Sequence, residues 1–324
     1  MSEQLGKQVS AAEEPHPEIN GLLQQMGAAP MPPLWSLSPK GGRAFVEGMF
    51  PDPEEPEPIA DVMDVPIDVD GGEIPLRVYI PEAEGPFPTL IYLHGGGWAT
   101  GSLDGYDPTC RALTKAANCM VVSVGYRLSP EHKFPTPLED CYTAAEWVIE
   151  SAEAMQIDTD NIAIAGDSAG GNLAAAVTLL ARERGDFSFD RQVLIYPVLD
   201  HSFDTESYEE NAEGYLLTKA DMKYFWDLYL RDEIDSKSPY ASPLQANNLE
   251  ALPPATIVTC GFDPLRDEGA AYAAELTNAD VDVNHIHYDD GIHGLIQLLV
   301  EPMDLTPARE LIAEISDDLI TTFD

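Results

Sequence analysis

Residues 164–171 read Ile-Ala-Gly-Asp-Ser-Ala-Gly-Gly, between a strand-like apolar run, Asn161 to Ala165, and a helix-like run of small residues, Asn172 to Arg184. A chain written this way must turn sharply from strand into helix around Ser168. Gly166 and Gly170 lack a Cβ at the two places where strand and helix backbones pass closest. A serine at the tip of such a turn is lifted out of the sheet with its hydroxyl exposed. The helix that follows aims backbone N–H groups and its positive dipole end at the space beside that hydroxyl. The same letters also suit an ordinary strand-to-helix connection with a serine N-cap. Chemistry at Ser168 therefore needs partners elsewhere in the chain.

One partner lies upstream. The apolar run Pro88 to Leu93 is followed by His94-Gly95-Gly96-Gly97-Trp98. Three glycines after a buried strand leave the backbone unshielded, free to direct N–H groups at a ligand. This is the glycine loop that forms half of an oxyanion hole in some serine hydrolases. A phosphate loop would need Lys-Ser or Lys-Thr and a helix beginning at the glycines, and neither is present. A merely flexible turn is the plainer alternative.

Two further candidates complete a nucleophile, base and acid. Asp263 follows the run Ala255 to Gly261, and His293 follows the alternating run Val281 to Tyr288. With Ser168 they stand in the order serine, aspartate, histidine, each just past a predicted parallel strand, where open α/β sheets place their sites. A serine hydroxyl is a weak nucleophile; His293 would take its proton and Asp263 would hold the imidazole tautomer. Asp267 and Glu268 compete with Asp263 but fall in the first turn of the next helix, where a carboxylate complements the dipole. Asp289 and Asp290 read as turn residues too close to His293. His285 and His287 share a strand face and could imitate a metal pair, but no third ligand has suitable spacing. His94 reads as structural, holding the glycine loop by a hydrogen bond. No metal and no organic cofactor is expected.

With these residues in place, the chain resembles the hormone-sensitive-lipase family of carboxylesterases, within the α/β-hydrolases. The blocks that match in order are His94–Trp98, Tyr126–Pro135, Gly166–Gly171, Asp263–Gly269 and His293-Gly294. The resemblance covers roughly residues 60–324. It implies Ser168, Asp263 and His293 as the triad, with the backbone N–H groups of Gly96, Gly97 and Ala169 as the oxyanion hole. It implies hydrolysis of short- to medium-chain carboxylic esters through an acyl-enzyme. A non-catalytic small-molecule receptor and an amidase or peptidase with the same triad are the alternatives on this fold. Leu295 departs from the aromatic residue many members carry after the His-Gly pair, and is expected to alter the pocket wall.

The remaining pattern supports one α/β sheet. Eight strand candidates alternate with helices: 63–69, 74–80, 88–93, 120–125, 161–165, 191–196, 255–260 and 282–288. The helix candidates are 107–117, 137–155, 170–184, 265–279 and 307–323. The first two strands alternate apolar and polar, as half-covered antiparallel strands do, and the rest are continuous apolar runs, as buried parallel strands are. The pattern thus gives a mostly parallel eight-stranded α/β sheet flanked by helices, and the resemblance implies that it is an α/β-hydrolase with a helical cap. Residues 1–50 hold two helix-like stretches, near 19–26 and 41–49, which the resemblance implies are cap helices; for 203–231, whose Phe225, Trp226 and Tyr229 could simply anchor a helix to the core, it implies the same role. Residues 51–324 are then expected to form the catalytic domain, with 203–231, helix-like over 216–230, a cap insertion at the C-terminal end of the sixth strand. The proline-rich acidic stretch 51–58 reads as a linker.

Charge narrows the partners. Seventeen Lys and Arg stand against 57 Asp and Glu, a net charge of −40 over 324 residues. The acids are spread along the chain, so a disordered acidic tail is not the explanation. Nucleic acid and anionic membranes would be repelled, and self-repulsion would be strong in dilute buffer. Molar salt shortens the Debye length to about 3 Å and removes most of that repulsion. The composition is read as that of a halophile's cytoplasmic protein. No stretch reads as a signal peptide or a membrane span, and residues 2–16 are polar. The scattered Cys110, Cys119, Cys141 and Cys260 fit reduced, buried thiols. The expected partner is a small-molecule ester, with a homodimer left open and no nucleic acid or stable membrane association.

Overall fold

The structure, a computed structural model, describes residues 9–28, 32–50 and 53–324. Residues 1–8 and 29–31 of the proposed N-terminal cap segment, and Pro51 and Asp52 of the proposed linker, lie outside the described residues. Helices α1 (Pro17–Ala28) and α2 (Pro39–Met49) come first. Strands β1 (Asp61–Val69) and β2 (Gly72–Ile80) form a hairpin across Asp70-Gly71, with Gly71 at φ 76°. Then follow β3 (Phe87–Leu93), α3 (Asp107–Ala117), β4 (Met120–Val124), α4 (Thr136–Glu150), the one-turn α5 (Ala152–Met155) and β5 (Ile157–Asp167). The chain continues through α6 (Ala169–Arg184), β6 (Arg191–Ile195), α7 (Glu206–Glu210) and α8 (Lys219–Tyr229). It ends with β7 (Ala255–Phe262), α9 (Arg266–Asn278), β8 (Val283–Ile292) and α10 (Thr306–Phe323).

The eight strands form one sheet in the order β1-β2-β4-β3-β5-β6-β7-β8. Pairings from β4 through β3 to β8 are parallel, and β1 with β2 and β2 with β4 are antiparallel. The strand period of two splits the core between the sheet faces. Leu90 and Tyr92 of β3 join the cluster that holds α3, α10 and Ile19 of α1. Ile91 and Leu93 join the cluster that holds α4, α6, α9 and α8. Burial on both faces explains why the central strands are continuous apolar runs. Helix α6 is buried without interruption from Ala169 to Ala181. Its small residues let it lie close against β5 and β6. All four cysteines are buried and free. Among the described residues, no helix is long and apolar enough to cross a membrane.

Two expectations need correction. The helix expected over 137–155 is divided at Ser151, whose N–H closes onto the Trp147 carbonyl. Gln156 then takes a left-handed conformation, φ 58°, that redirects the chain into β5. Asp289 and Asp290 are not turn residues: β8 runs through them to Ile292. Their carbonyls accept from the N–H groups of Ala12 (2.8 Å) and His16 (2.9 Å). The N-terminal segment therefore satisfies this part of the sheet edge and keeps two acidic residues extended.

Candidate active site

Three strand ends bring the sequence candidates together. Ser168 follows β5, Asp263 follows β7 and His293 follows β8, all on the same edge of the sheet. His293 Nε2 lies 2.9 Å from Ser168 Oγ, and His293 Nδ1 lies 2.8 Å from Asp263 Oδ2. Asp263 is fully buried, and its other oxygen accepts from the Leu265 N–H at 2.8 Å. With both oxygens engaged, the carboxylate has one orientation and imposes one on the imidazole. Tyr196 packs against the His293 ring with centroids 4.7 Å apart.

Ser168 sits at φ 54°, ψ −119°, a conformation that L-residues avoid and that functional turns retain. Its N–H donates to the Ile195 carbonyl at 2.9 Å, and its own carbonyl accepts from Asn172 at 3.0 Å and Val198 at 3.2 Å. The flanking glycines are obligatory. A Cβ on Gly166 would lie 2.4 Å from the Gly170 backbone, and one on Gly170 only 1.9 Å from the Leu93 carbonyl oxygen.

The glycine loop after β3 faces the serine. Gly96 (φ 106°) and Gly97 (φ 58°) use backbone conformations open to glycine. A Cβ on Gly97 would strike the Phe225 ring at 2.2 Å, so that ring from α8 lies directly on the loop. The N–H groups of Gly96, Gly97 and Ala169 have no protein acceptor among the described residues. Burial lowers the His94 pKa to about 4, so its ring is neutral and Nδ1–H donates to the Gly95 carbonyl at 2.8 Å. The ring also stacks on Tyr126 at 4.3 Å, and the Tyr126 hydroxyl donates to the His94 carbonyl. This is the structural role expected of His94.

Sequence reasoning missed Asp167, although it lies inside the serine motif. Its buried carboxylate accepts from Tyr92 (3.0 Å), Tyr106 (2.8 Å) and the Gly95 N–H (3.0 Å). It thereby joins the serine turn to the glycine loop. A Cβ on Gly95 would lie 2.4 Å from Asp167 Oδ2, so the first glycine makes room for this carboxylate. Burial pushes the Asp167 pKa up to about 6, against the lowering effect of the two phenols, His293 and the Gly95 N–H. The available signal was a carboxylate placed between the end of an apolar strand and a small-residue helix.

The competing residues have other duties. Asp267 accepts from the Ser207 N–H at 2.8 Å and from Arg266 at 2.9 Å. Glu268 accepts from the Asp200 N–H at 2.9 Å. Both tie α9 to the segment after β6. His285 Nε2 and His287 Nδ1 each meet Thr259 Oγ1 at 2.9 Å, and His287 Nε2 donates to the Ser10 carbonyl. Among the described residues no group of three His, Cys, Asp or Glu could hold a metal ion. Leu295 is fully buried in the core and is not in the pocket wall, where Gly294 and Gln297 stand.

Above the serine lies a cavity of about 660 Å³. Its floor includes Gly96, Gly97, Ser168 and His293. Its walls include Leu23 and Met26 of α1, Trp35, Phe45, Val46 and Met49 of α2, and Leu216, Leu217, Met222 and Phe225 from the stretch after β6. The two stretches that stand outside the strand–helix alternation are thus the ones that enclose the serine. Their apolar side chains suit a ligand with an acyl chain and leave few polar groups to fix its orientation.

The geometry has counterparts among known proteins. A family model described as alpha/beta hydrolase fold matches residues 90–297. A carboxylic ester hydrolase of Mycobacterium tuberculosis, LipN, is 41% identical over 262 residues, 79% of this chain and 69% of its own. An ethyl acetate hydrolase of Pseudomonas putida is 39% identical over 218 residues, 66% of this chain and 69% of its own. The structure of the ester-hydrolase EH1AB1 from the metagenome of Lake Arreo, complexed with a bipyridine phosphonate derivative, superposes with a TM-score of 0.91. The two are 38% identical, and the match covers 95% of this chain and 99% of that one.

Proposed function

The chain belongs to the alpha/beta hydrolase fold family and is a serine carboxylic ester hydrolase, and from that premise we propose that Ser168, His293 and Asp263 carry out the reaction on esters of short to medium acyl chains. The observation that carries the reading is the continuous line Asp263 Oδ2, His293, Ser168 Oγ, with contacts of 2.8 and 2.9 Å, at the floor of the 660 Å³ cavity. Ser168 Oγ attacks the ester carbonyl as His293 Nε2 takes its proton. Asp263 holds the imidazole and offsets the charge that forms on it. The carbonyl oxygen becomes an oxyanion, received by the N–H groups of Gly96, Gly97 and Ala169. The alcohol leaves with the proton from His293. Water, activated by the same nitrogen, then releases the acid and restores Ser168.

Residues 1–50 and 203–231 act in this reading as a cap that sets acyl-chain length. The observed walls support it, and so does the small substrate of the ethyl acetate hydrolase relative. The −40 charge supports a further reading, a protein that works in molar salt, and the free buried thiols suit a cytoplasm.

The test is Ser168→Ala against wild type on p-nitrophenyl acetate, butyrate and octanoate, with a fluorophosphonate probe. Turnover should fall by on the order of 10⁶, as removal of a triad serine does, and labelling should disappear from a folded protein. Labelling at another serine would overturn the assignment.

A further inference from the structure

The glycine loop is held from the α2 side as well as from the sheet. Arg43 Nε donates to the Ala99 carbonyl at 2.8 Å, and Arg43 Nη2 donates to the Ser129 carbonyl at 2.9 Å. Glu131 accepts from both terminal nitrogens and fixes the plane of the guanidinium. Ser129 is itself joined to the loop, its N–H donating to the Trp98 carbonyl at 2.8 Å.

A trans peptide sets its C=O and N–H on opposite sides. The peptide that presents its carbonyl to Arg43 therefore presents the Thr100 N–H on its other side. That N–H donates to the Gly96 carbonyl at 2.9 Å. The Ala99 N–H (3.1 Å) and Thr100 Oγ1 (2.8 Å) meet the same oxygen. With three donors on the Gly96 carbonyl, the Gly97 N–H of the same peptide is turned the opposite way. Gly97 lines the cavity beside Ser168, and its N–H has no protein acceptor among the described residues.

We infer that Arg43 is a positioning residue for the oxyanion site: its guanidinium heads a chain of two peptide planes that fixes and polarises the Gly97 N–H. The inference rests on the proposed role of Gly97 as an oxyanion donor. Hydrogen bonds in a chain strengthen one another, and a charged donor at the head strengthens the first link most. Helix α2 is then more than a wall of the pocket. Losing Arg43 weakens a contact that substrate makes only as the oxyanion forms, so the effect falls on kcat and is blind to acyl length.

The experiment compares Arg43→Met, Arg43→Lys and Glu131→Gln with wild type on p-nitrophenyl acetate, butyrate and octanoate. A trifluoromethyl ketone, which binds serine hydrolases as a tetrahedral oxyanion, is compared with its methyl ketone. Arg43→Met should lower kcat roughly tenfold at every chain length, a fraction of the ~10²–10³ that follows loss of an oxyanion donor itself. KM should stay within about twofold, because uniform binding is untouched. Affinity for the trifluoromethyl ketone should fall by the same factor as kcat, and affinity for the methyl ketone should hold. Arg43→Lys should recover part of the loss, and Glu131→Gln should lose less than Arg43→Met. Melting curves establish that each variant is folded. Unchanged kcat, or a KM that worsens with acyl length at constant kcat, overturns the inference. Fluorophosphonate labelling separates the two levels: labelling away from Ser168 removes the site reading, whereas labelling at Ser168 with unchanged Arg43 variants removes only this one.

Discussion

Asp167→Asn keeps the shape of a buried side chain and removes its titration. The wild-type carboxyl is 1% exposed, and burial raises its pKa from 3.8 to about 6. A carboxyl with a higher pKa in the folded than in the unfolded protein binds its proton more tightly when folded. Between those two values the folded protein holds more protons, so this group's contribution to stability falls as pH rises through the window. A rise of about two units, at 1.36 kcal/mol each, amounts to about 3 kcal/mol over the full window, of which about 2–3 kcal/mol lies between about pH 4 and pH 7. Asparagine also costs something independent of pH. Its amide nitrogen would face the Tyr106 hydroxyl, which now donates to Asp167 Oδ2 and accepts from the Gly95 N–H. The phenolic proton then loses its acceptor, a penalty of about 1–3 kcal/mol for a buried group. Comparing the two proteins across pH cancels that constant. Denaturant unfolding of both at fixed molar salt, from about pH 4 to about pH 7, should show the variant gaining about 2–3 kcal/mol on wild type as pH rises. Parallel stability profiles would mean that Asp167 does not titrate in the folded protein as its burial requires, and the argument would fail.

Asp263→Asn should fold and lose roughly 10⁴ in kcat through the wrong histidine tautomer, whereas Asp267→Asn, which bonds Ser207 and Arg266 instead, should lose far less; ester turnover with the order reversed would identify the other acid. Gly170→Ala should yield little folded protein, because its Cβ would sit 1.9 Å from the Leu93 carbonyl. Gly21→Ala, in open space on α1, should gain up to about 1 kcal/mol of helix propensity; thermal unfolding of the pair checks both, and a stable Gly170→Ala protein would contradict the close crossing. Melting temperature and turnover should both rise from about 0.05 M toward molar KCl as screening relieves the −40 charge, and a flat melting temperature over that range would remove the salt-adaptation reading.

The alternation of apolar runs with helix-like stretches determined the strand and helix order, since burial on both sheet faces writes itself into consecutive residues. Helix α3 falls on residues 107–117 as the pattern predicts. The serine turn was equally legible, because Gly166 answers to the Gly170 backbone a single helical turn on, although Gly170 itself answers to the Leu93 carbonyl, which only the sheet brings near. The order of Ser168, Asp263 and His293 could be read because each follows a recognisable strand. Other features carry no local signature. The extension of β8 through Asp289 and Asp290 depends on Ala12 and His16, nearly the whole chain away. The break at Ser151 answers to the path that leads into β5. Asp167 reaches Gly95 across 72 residues, and Arg43 reaches Ala99 across 56. Phe225 lies on Gly97 only because α8 folds back over the sheet. Periodicity reports whether a side chain is buried, and it is silent on which distant polar group meets it there. Those partners were decided by the tertiary structure, where a buried donor or acceptor must find a mate wherever the fold brings one within reach.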